Sequence, residues 1–289
     1  EEARLIPVPE PSARVIGLRT GQYDFADWIP ATEASQLKAL SDVKLVDTGP
    51  YGIEVVWINH AGILGENKRL RQAIQAALDM EEIMMVATDG SGSLSPGFHL
   101  PGQTWYSDSG KEYYNQKDLE KARSLLVESG YRGEPIRFAT NTDYQDMYRA
   151  AICVQQQTLG INIQLDVNDF SGMMEKATRP GGTGWDLMSM SHSMRFDPAE
   201  NFDQYIRAKT SQLNYEPSEE IVLLLDRART SGDTRERTTL YGRVQQHMYQ
   251  EAELWFKLFD LSRYQGYRSY VKGYVPWATM KFYNVQIEK

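Results

Sequence analysis

Between Asn115 and Val167 the chain switches repeatedly between the helical and the strand period, and few folds accept that pattern. Asn115 is a cap candidate for a helix carrying Leu119, Ala122, Leu125 and Leu126 on one face, with Gly130 just past its end at Ser129. Ile136–Thr140 reads as a strand and Tyr144–Leu159 as a helix stopped by Gly160. Ile161, Ile163, Leu165 and Val167 then alternate, as a half-buried strand requires. Strands alternating with helices build an α/β domain.

The same reading extends in both directions. Upstream, the sequence predicts a strand at Arg4–Val8, a helix over Ser12–Thr20 closed by Gly21, a strand at Tyr23–Ala26 and a helix over Ala31–Leu40. Val43–Asp47 and Ile53–Asn59 read as strands separated by the turn signal Thr48-Gly49-Pro50. Lys68–Asp79 keeps Leu70, Ala73, Ile74, Ala77 and Leu78 on one helical face, Glu81–Ala87 continues it, and residues 89–115 form a long Gly-, Ser- and Pro-rich loop. Downstream come a short helix at Phe170–Ala177, a linker at Arg179–Gly184, a strand at Trp185–Met190, helices at Glu219–Thr230 and Arg235–Gln250, and an apolar strand at Leu254–Leu261. The aromatic tail Val271–Ile287 is expected to run back along the first domain.

With 289 residues, 41% of them hydrophobic, the chain has material for one large or two medium domains. A net charge of −8 argues against nucleic-acid binding and against attraction to anionic membrane, which need basic surfaces. No run of about 20 apolar residues occurs, so no segment is expected to insert into a bilayer. The single Cys153 rules out an intramolecular disulfide without fixing the compartment. The chain opens Glu1-Glu2-Ala3-Arg4 without Met or a signal-peptide pattern, and the strand read at Arg4–Val8 lacks a partner. It is therefore read as a processed chain or a fragment.

Catalytic signatures are missing. His60, His99, His192 and His247 are scattered, no Cys-x-x-Cys pair occurs, and Cys153 sits mid-helix as a small hydrophobe. Gly90-Ser91-Gly92-Ser93 and Gly181-Gly182-Thr183-Gly184 lack the Gly-Lys-Ser/Thr ending of a phosphate loop, and there is no Gly-x-Ser-x-Gly elbow. No catalytic residue, metal or cofactor is expected. The alternatives are a carbohydrate-active hydrolase with dispersed carboxylates, for which paired acids at the right separation are the test, and a structural interaction module with a flat apolar patch.

Four stretches carry a resemblance. They are Ala13–Val15 through Leu18-Arg19-Thr20-Gly21-Gln22-Tyr23-Asp24; Trp57-Ile58-Asn59 with Leu70-Arg71-Gln72-Ala73 to Asp79; Leu119-Glu120-Lys121-Ala122 to Leu126 with Gly130-Tyr131; and Leu159-Gly160-Ile161 followed by Trp185-Asp186-Leu187 and Asp197-Pro198. In this order they resemble the large solute-binding proteins of the dipeptide, oligopeptide and nickel ABC importers (family 5). The resemblance implies an α/β, periplasmic-binding-protein-like (Venus-flytrap) type II fold of the larger cluster C variant, with one complete lobe and part of the other. Residues 1–60 and 263–289 would belong to the first lobe and 61–262 to the second, with hinges near Asn59–Gly65 and Asp260–Gly266. It also implies a monomer that binds a small molecule or peptide and presents it to ABC permease transmembrane subunits. The implied location is periplasmic or extracytoplasmic, membrane-associated if the parent is lipidated.

The expected ligand contacts lie in two places. The family's contact loop corresponds to Ser189–Pro198, giving Ser191, His192, Ser193, Met194 and Arg195. Peptide binders of the family place an aspartate three residues before Asp197, where this chain has Met194, with Arg195 beside it. An arginine there favours carboxylate or phosphate ligands through its fork of donors. The bland alternatives are a salt bridge from Arg195 to Asp197 and a helix-capping role for Asp197-Pro198. In the first lobe the resemblance places Asp27, Trp28 and Tyr51 near the ligand, the two rings as stacking faces. Core packing is the competing role for both aromatics.

Overall fold

The structure is a computed structural model that describes residues 2–141, 148–206, 212–277 and 280–288. In chain order its elements are α1 (Pro11–Thr20), β1 (Phe25–Ile29), α2 (Ala31–Lys38), β2 (Val43–Ile58), α3 (Ile63–Glu66), α4 (Lys68–Ala77), α5 (Met80–Thr88), α6 (Leu119–Ser129), β3 (Ile136–Asn141) and α7 (Arg149–Leu159). They continue with β4 (Ile163–Asn168), α8 (Phe170–Thr178), β5 (Leu187–Ser193), α9 (Pro198–Ile206), α10 (Glu219–Thr230), α11 (Thr234–Glu251), β6 (Trp255–Arg268), β7 (Val271–Lys272) and β8 (Gln286–Ile287). Among the described residues no helix is long and apolar enough to cross a membrane.

The chain forms two compact units. Unit 1 comprises Glu1–Tyr51, Thr88–Ser93 and Leu261–Lys289; unit 2 comprises Gly52–Ala87 and Leu94–Asp260. Thr88–Ser93 comprises the last residue of α5 and the start of the loop read over residues 89–115.

In unit 2 the strand order is β6-β2-β5-β3-β4. β3 runs parallel to both β4 and β5, while β5 is antiparallel to β2 in the register Gly52↔Ser193 to Ile58↔Leu187. The β2 segment from Tyr51 to Ile58 is buried at every position, as a strand covered on both faces must be. Trp57, Phe98, Trp185, Phe202, Tyr241 and Trp255 anchor one continuous core. Gly130 and Gly160, at φ 68° and 95°, close α6 and α7 in the left-handed conformation predicted for them.

In unit 1, β1 pairs antiparallel with β6, and Val15, Leu18 and Leu37 from the two helices pack with Ala26 and Ile29 of β1. The β7–β8 pair carries a second small core of Tyr267, Val271 and Tyr274.

Several local expectations need correction. Arg4–Val8 forms no strand, so the missing partner inferred for it disappears. The turn signal at Thr48–Pro50 does not break the chain: β2 runs through it, with Gly49 at φ 71° absorbing the irregularity. The expected cap Asn115 instead accepts a hydrogen bond from the Met80 amide (2.8 Å), and Asp118 caps α6 by accepting from the Lys121 amide (2.9 Å). β5 begins two residues later than expected and extends to Ser193, and β6 continues seven residues beyond Leu261, to Arg268. The predicted start of α7 at Tyr144 lies outside the described residues. The linker Arg179–Gly184 is pinned, since the Asn59 amide donates to the carbonyls of Gly182 (2.6 Å) and Trp185 (2.7 Å).

Asp118→Ala removes the acceptor at the α6 N-terminus, and a loss of about 1 kcal/mol in urea unfolding is expected. No measurable loss would mean the cap is made by water instead.

Candidate functional site

In unit 2, Ser191 and His192 are not loop residues, as expected, but the last turns of pleat in β5, with Ser193 at the strand end. Pleating sends neighbours to opposite faces. Ser191 Oγ donates to Glu54 Oε2 (2.6 Å), while the His192 ring is buried among Trp57, Tyr205 and Trp255. Trp57 Nε1 donates to His192 Nε2 (2.7 Å), so the neutral ring carries its proton on Nδ1. Burial, assisted by the positive charge of Arg195, lowers the His192 pKa to about 3. His192 is therefore uncharged at neutral pH. Gly52, opposite this end of β5, has no space for a side chain: a Cβ would meet the His192 carbonyl oxygen at 2.5 Å.

Met194 packs against the unit 2 core, and Arg195 and Phe196 are exposed. Asp197 does not pair with Arg195. Both its carboxylate oxygens accept from Arg237 Nη2 at 2.9 Å, and its Oδ1 accepts from the Ala199 amide at the start of α9. Burial pushes the Asp197 pKa up, but the Ala199 amide and Arg237 outweigh it and hold the carboxyl below its ordinary range. The guanidinium of Arg237 also lies 4.7 Å from the Trp105 ring, whose Nε1 donates to the Phe196 carbonyl (2.8 Å). The segment after β5 is thus held from both sides, and Arg195 makes no hydrogen bond or ion pair among the described residues.

Unit 1 brings Asp27, Trp28 and Tyr51 together. Asp27 and Trp28 belong to β1 rather than following it, and the β1–β6 register shifts between Ala26 and Ile29. Trp28 takes φ 56°, a conformation strained for an aromatic residue. This irregularity cancels the usual alternation, so Asp27 and Trp28 both reach Arg263 of β6. Trp28 and Tyr51 meet edge to face with centroids 5.2 Å apart. The Arg263 guanidinium carbon lies 4.6 Å from the first ring and 4.8 Å from the second. Asp27 Oδ1 lies 3.5 Å from Arg263 Nε and accepts from Gln265 Nε2 (3.1 Å), and Tyr274 donates to Gln265 Oε1 (2.7 Å). Burial, then the Asp27 charge, raises the Tyr274 pKa to about 12.

Sequence reasoning missed Arg263 and Glu54. Each is an ionisable residue inside an apolar strand pattern, and burying one is costly without partners, which is the signal that points to them. Their partners are far away in the chain, so periodicity alone does not name them.

The sequence matches the family model described as bacterial extracellular solute-binding proteins, family 5 Middle, over residues 1–213. It is 24% identical to the oligopeptide-binding protein AppA of Bacillus subtilis, over 96% of this chain and 54% of that protein. The chain thus spans about half the length of the curated relatives it matches. Its fold is that of the ABC transporter substrate-binding protein CtaP from Listeria monocytogenes, with a TM-score of 0.87, 18% identity, and coverage of 98% of this chain and 59% of that one. The protein AgaA of A. tumefaciens, solved with agropinic acid, gives a TM-score of 0.82 at 23% identity over 97% and 59% of the two chains.

Proposed function

Because the chain belongs to the family 5 bacterial extracellular solute-binding proteins, we propose that it is the solute-binding component of an ABC importer. It captures a small ligand and presents it to the permease transmembrane subunits, outside the cytoplasm, as a monomer and without catalysing a reaction. The match to the family over residues 1–213 carries this reading. The relatives' named cargoes differ, oligopeptides for one and agropinic acid for another. We therefore assign this chain a peptide-like, anionic or sugar-derived solute.

Asp27, Trp28 and Tyr51 contact ligand in unit 1, and Ser191 to Arg195 do so in unit 2, with Arg195 as a ready anion donor. His192 acts there through the shape it gives β5, because its ring is occupied by Trp57. The two units are the two lobes, and the chain passes from one to the other after residues 51, 87, 93 and 260, where we place the hinge. A ligand that binds one conformer better shifts the population toward it, and the permease reads that shift.

The test is calorimetry on the protein expressed from its full coding sequence, against peptides, opine-type acids and sugar derivatives. A dissociation constant of micromolar or better is expected, about −8 kcal/mol, with Arg195→Ala weakening the binding of an anionic ligand. If the whole panel fails to bind at millimolar concentration, the importer reading is wrong.

A further inference from the structure

We propose that Arg263, flanked by Trp28 and Tyr51 in unit 1, is a carboxylate-binding residue that takes a ligand's carboxylate on its outer guanidinium nitrogens. The proposal rests on the solute-binding reading and specifies the ligand group that unit 1 recognises.

The argument begins with unmet donors. The Arg263 side chain is 7% exposed, yet its Nε has no hydrogen-bond partner, and no hydrogen bond from its other nitrogens is found among the described residues. Guanidinium carries five N–H donors, and buried donors are ordinarily satisfied. Arg71 of the same chain shows what a structural arginine looks like. At 4% exposed, it donates to the carbonyls of Ala252, Leu64, Gly65 and Glu251. Arg263 has no such cage.

Asp27 does not fill the role. Its contact with Arg263 Nε is 3.5 Å, an ion pair without hydrogen-bond geometry, and its Oδ1 is already engaged by Gln265. The faces of the two aromatic rings supply cation–π contact, which does not satisfy an N–H donor as a carbonyl or carboxylate oxygen does. The distances of 4.6, 4.8 and 5.2 Å among the guanidinium carbon and the two ring centroids describe a triangle. The rings therefore cover two adjoining sides of the guanidinium instead of sandwiching it, and neither ring covers the remaining side. The strained Trp28 backbone is what places the first of these rings.

A carboxylate fits this setting better than a phosphate. Both match the fork of donors, but Asp27 already contributes a negative charge beside the guanidinium, so a singly charged planar group meets less repulsion than a dianion. The rings exclude water and strengthen the charged contact.

The test uses the protein expressed from its full coding sequence and calorimetry with matched pairs: trialanine and trialanine amide, acetate and acetamide, succinate and succinamide, with inorganic phosphate as a separate arm. The expected result is that at least one carboxylate binds about 10- to 100-fold more tightly than its amide. That preference should vanish in Arg263→Gln and fall at least about fivefold in Arg263→Lys, which keeps the charge but loses the fork. Arg263→Lys also serves if Arg263→Gln does not fold, and circular dichroism checks both. Equal preference in wild type and variants overturns the clamp while leaving the solute-binding reading intact, as does wild-type binding with no carboxylate preference. Tighter binding of phosphate than of every carboxylate overturns the carboxylate assignment. Failure of every compound to bind overturns the carboxylate assignment, and the solute-binding reading falls with it only if the wider panel of peptides, opine-type acids and sugar derivatives also fails to bind.

Discussion

Replacing Asp260 with alanine is expected to destabilise the protein by about 3–5 kcal/mol. Asp260 and Lys257 are both 0% exposed and lie 2.6 Å apart near the end of unit 2's share of β6. Ser95 completes the group: its hydroxyl donates to Asp260 Oδ1 (3.1 Å), and Lys257 Nζ donates to its Oγ (3.1 Å) and to its carbonyl. Burial drives the Lys257 pKa below its ordinary range, against the pull of Asp260. Removing the carboxylate leaves an ammonium in the core without its counter-charge, and the lysine must either stay charged at a cost or release its proton. Urea unfolding measures the loss. The double variant Lys257→Met, Asp260→Leu should recover most of it, because a packed apolar pair replaces a desolvated ionic one. A single variant that loses less than about 1 kcal/mol, or a double variant no better than the single, contradicts this account.

The second large effect is acid sensitivity arising from His192. Above its ordinary pKa of 6.5 the ring is neutral in the folded and the unfolded chain alike, and its contribution to stability is fully present. As the pH falls below 6.5 the unfolded chain takes up a proton that the folded ring refuses until about pH 3. The unfolded state then binds more protons, and stability is lost at about 1.4 kcal/mol per pH unit, on the order of 3 kcal/mol by pH 4. His99, whose pKa burial lowers to about 4, contributes with the same sign. In His192→Gln the side-chain oxygen can still accept from Trp57, but nothing titrates. Its stability should therefore fall less than wild type's between pH 7 and pH 4.5, by about 2–3 kcal/mol. Parallel acid profiles for the two proteins rule out His192 as the source.

Legibility differed by level. Helices were readable wherever an apolar face ended in glycine, as at Gly21, Gly130 and Gly160, because both signals are local. Strand ends were not, since a strand stops where its partner stops, not where its own apolar run does. Beyond Leu261, β6 pairs with β1 from Tyr264 to Tyr267, and β2 crosses Thr48–Pro50 without a break, so neither strand ends where its own sequence signal does. Asn115 and Asp118 are both competent caps; which one serves was settled by the Met80 amide claiming the first.

The candidate residues divided likewise. The resemblance grouped Asp27, Trp28 and Tyr51, and their mutual contact through Arg263 follows from a strand irregularity that no spacing rule encodes. His192 was legible as a residue of interest, but its neutral state depends on burial against Trp57, 135 positions away in sequence. By itself, then, the sequence determined the α/β class, most helix positions and the family. Those follow from side-chain periodicity, capping chemistry and motif order, all of which are properties of neighbouring residues. Which strand edges paired, which charges became buried and which buried donors stayed unmet were decided only in three dimensions. Desolvation and hydrogen-bond satisfaction belong to the set of groups that folding brings together, and that set is not contiguous in the chain.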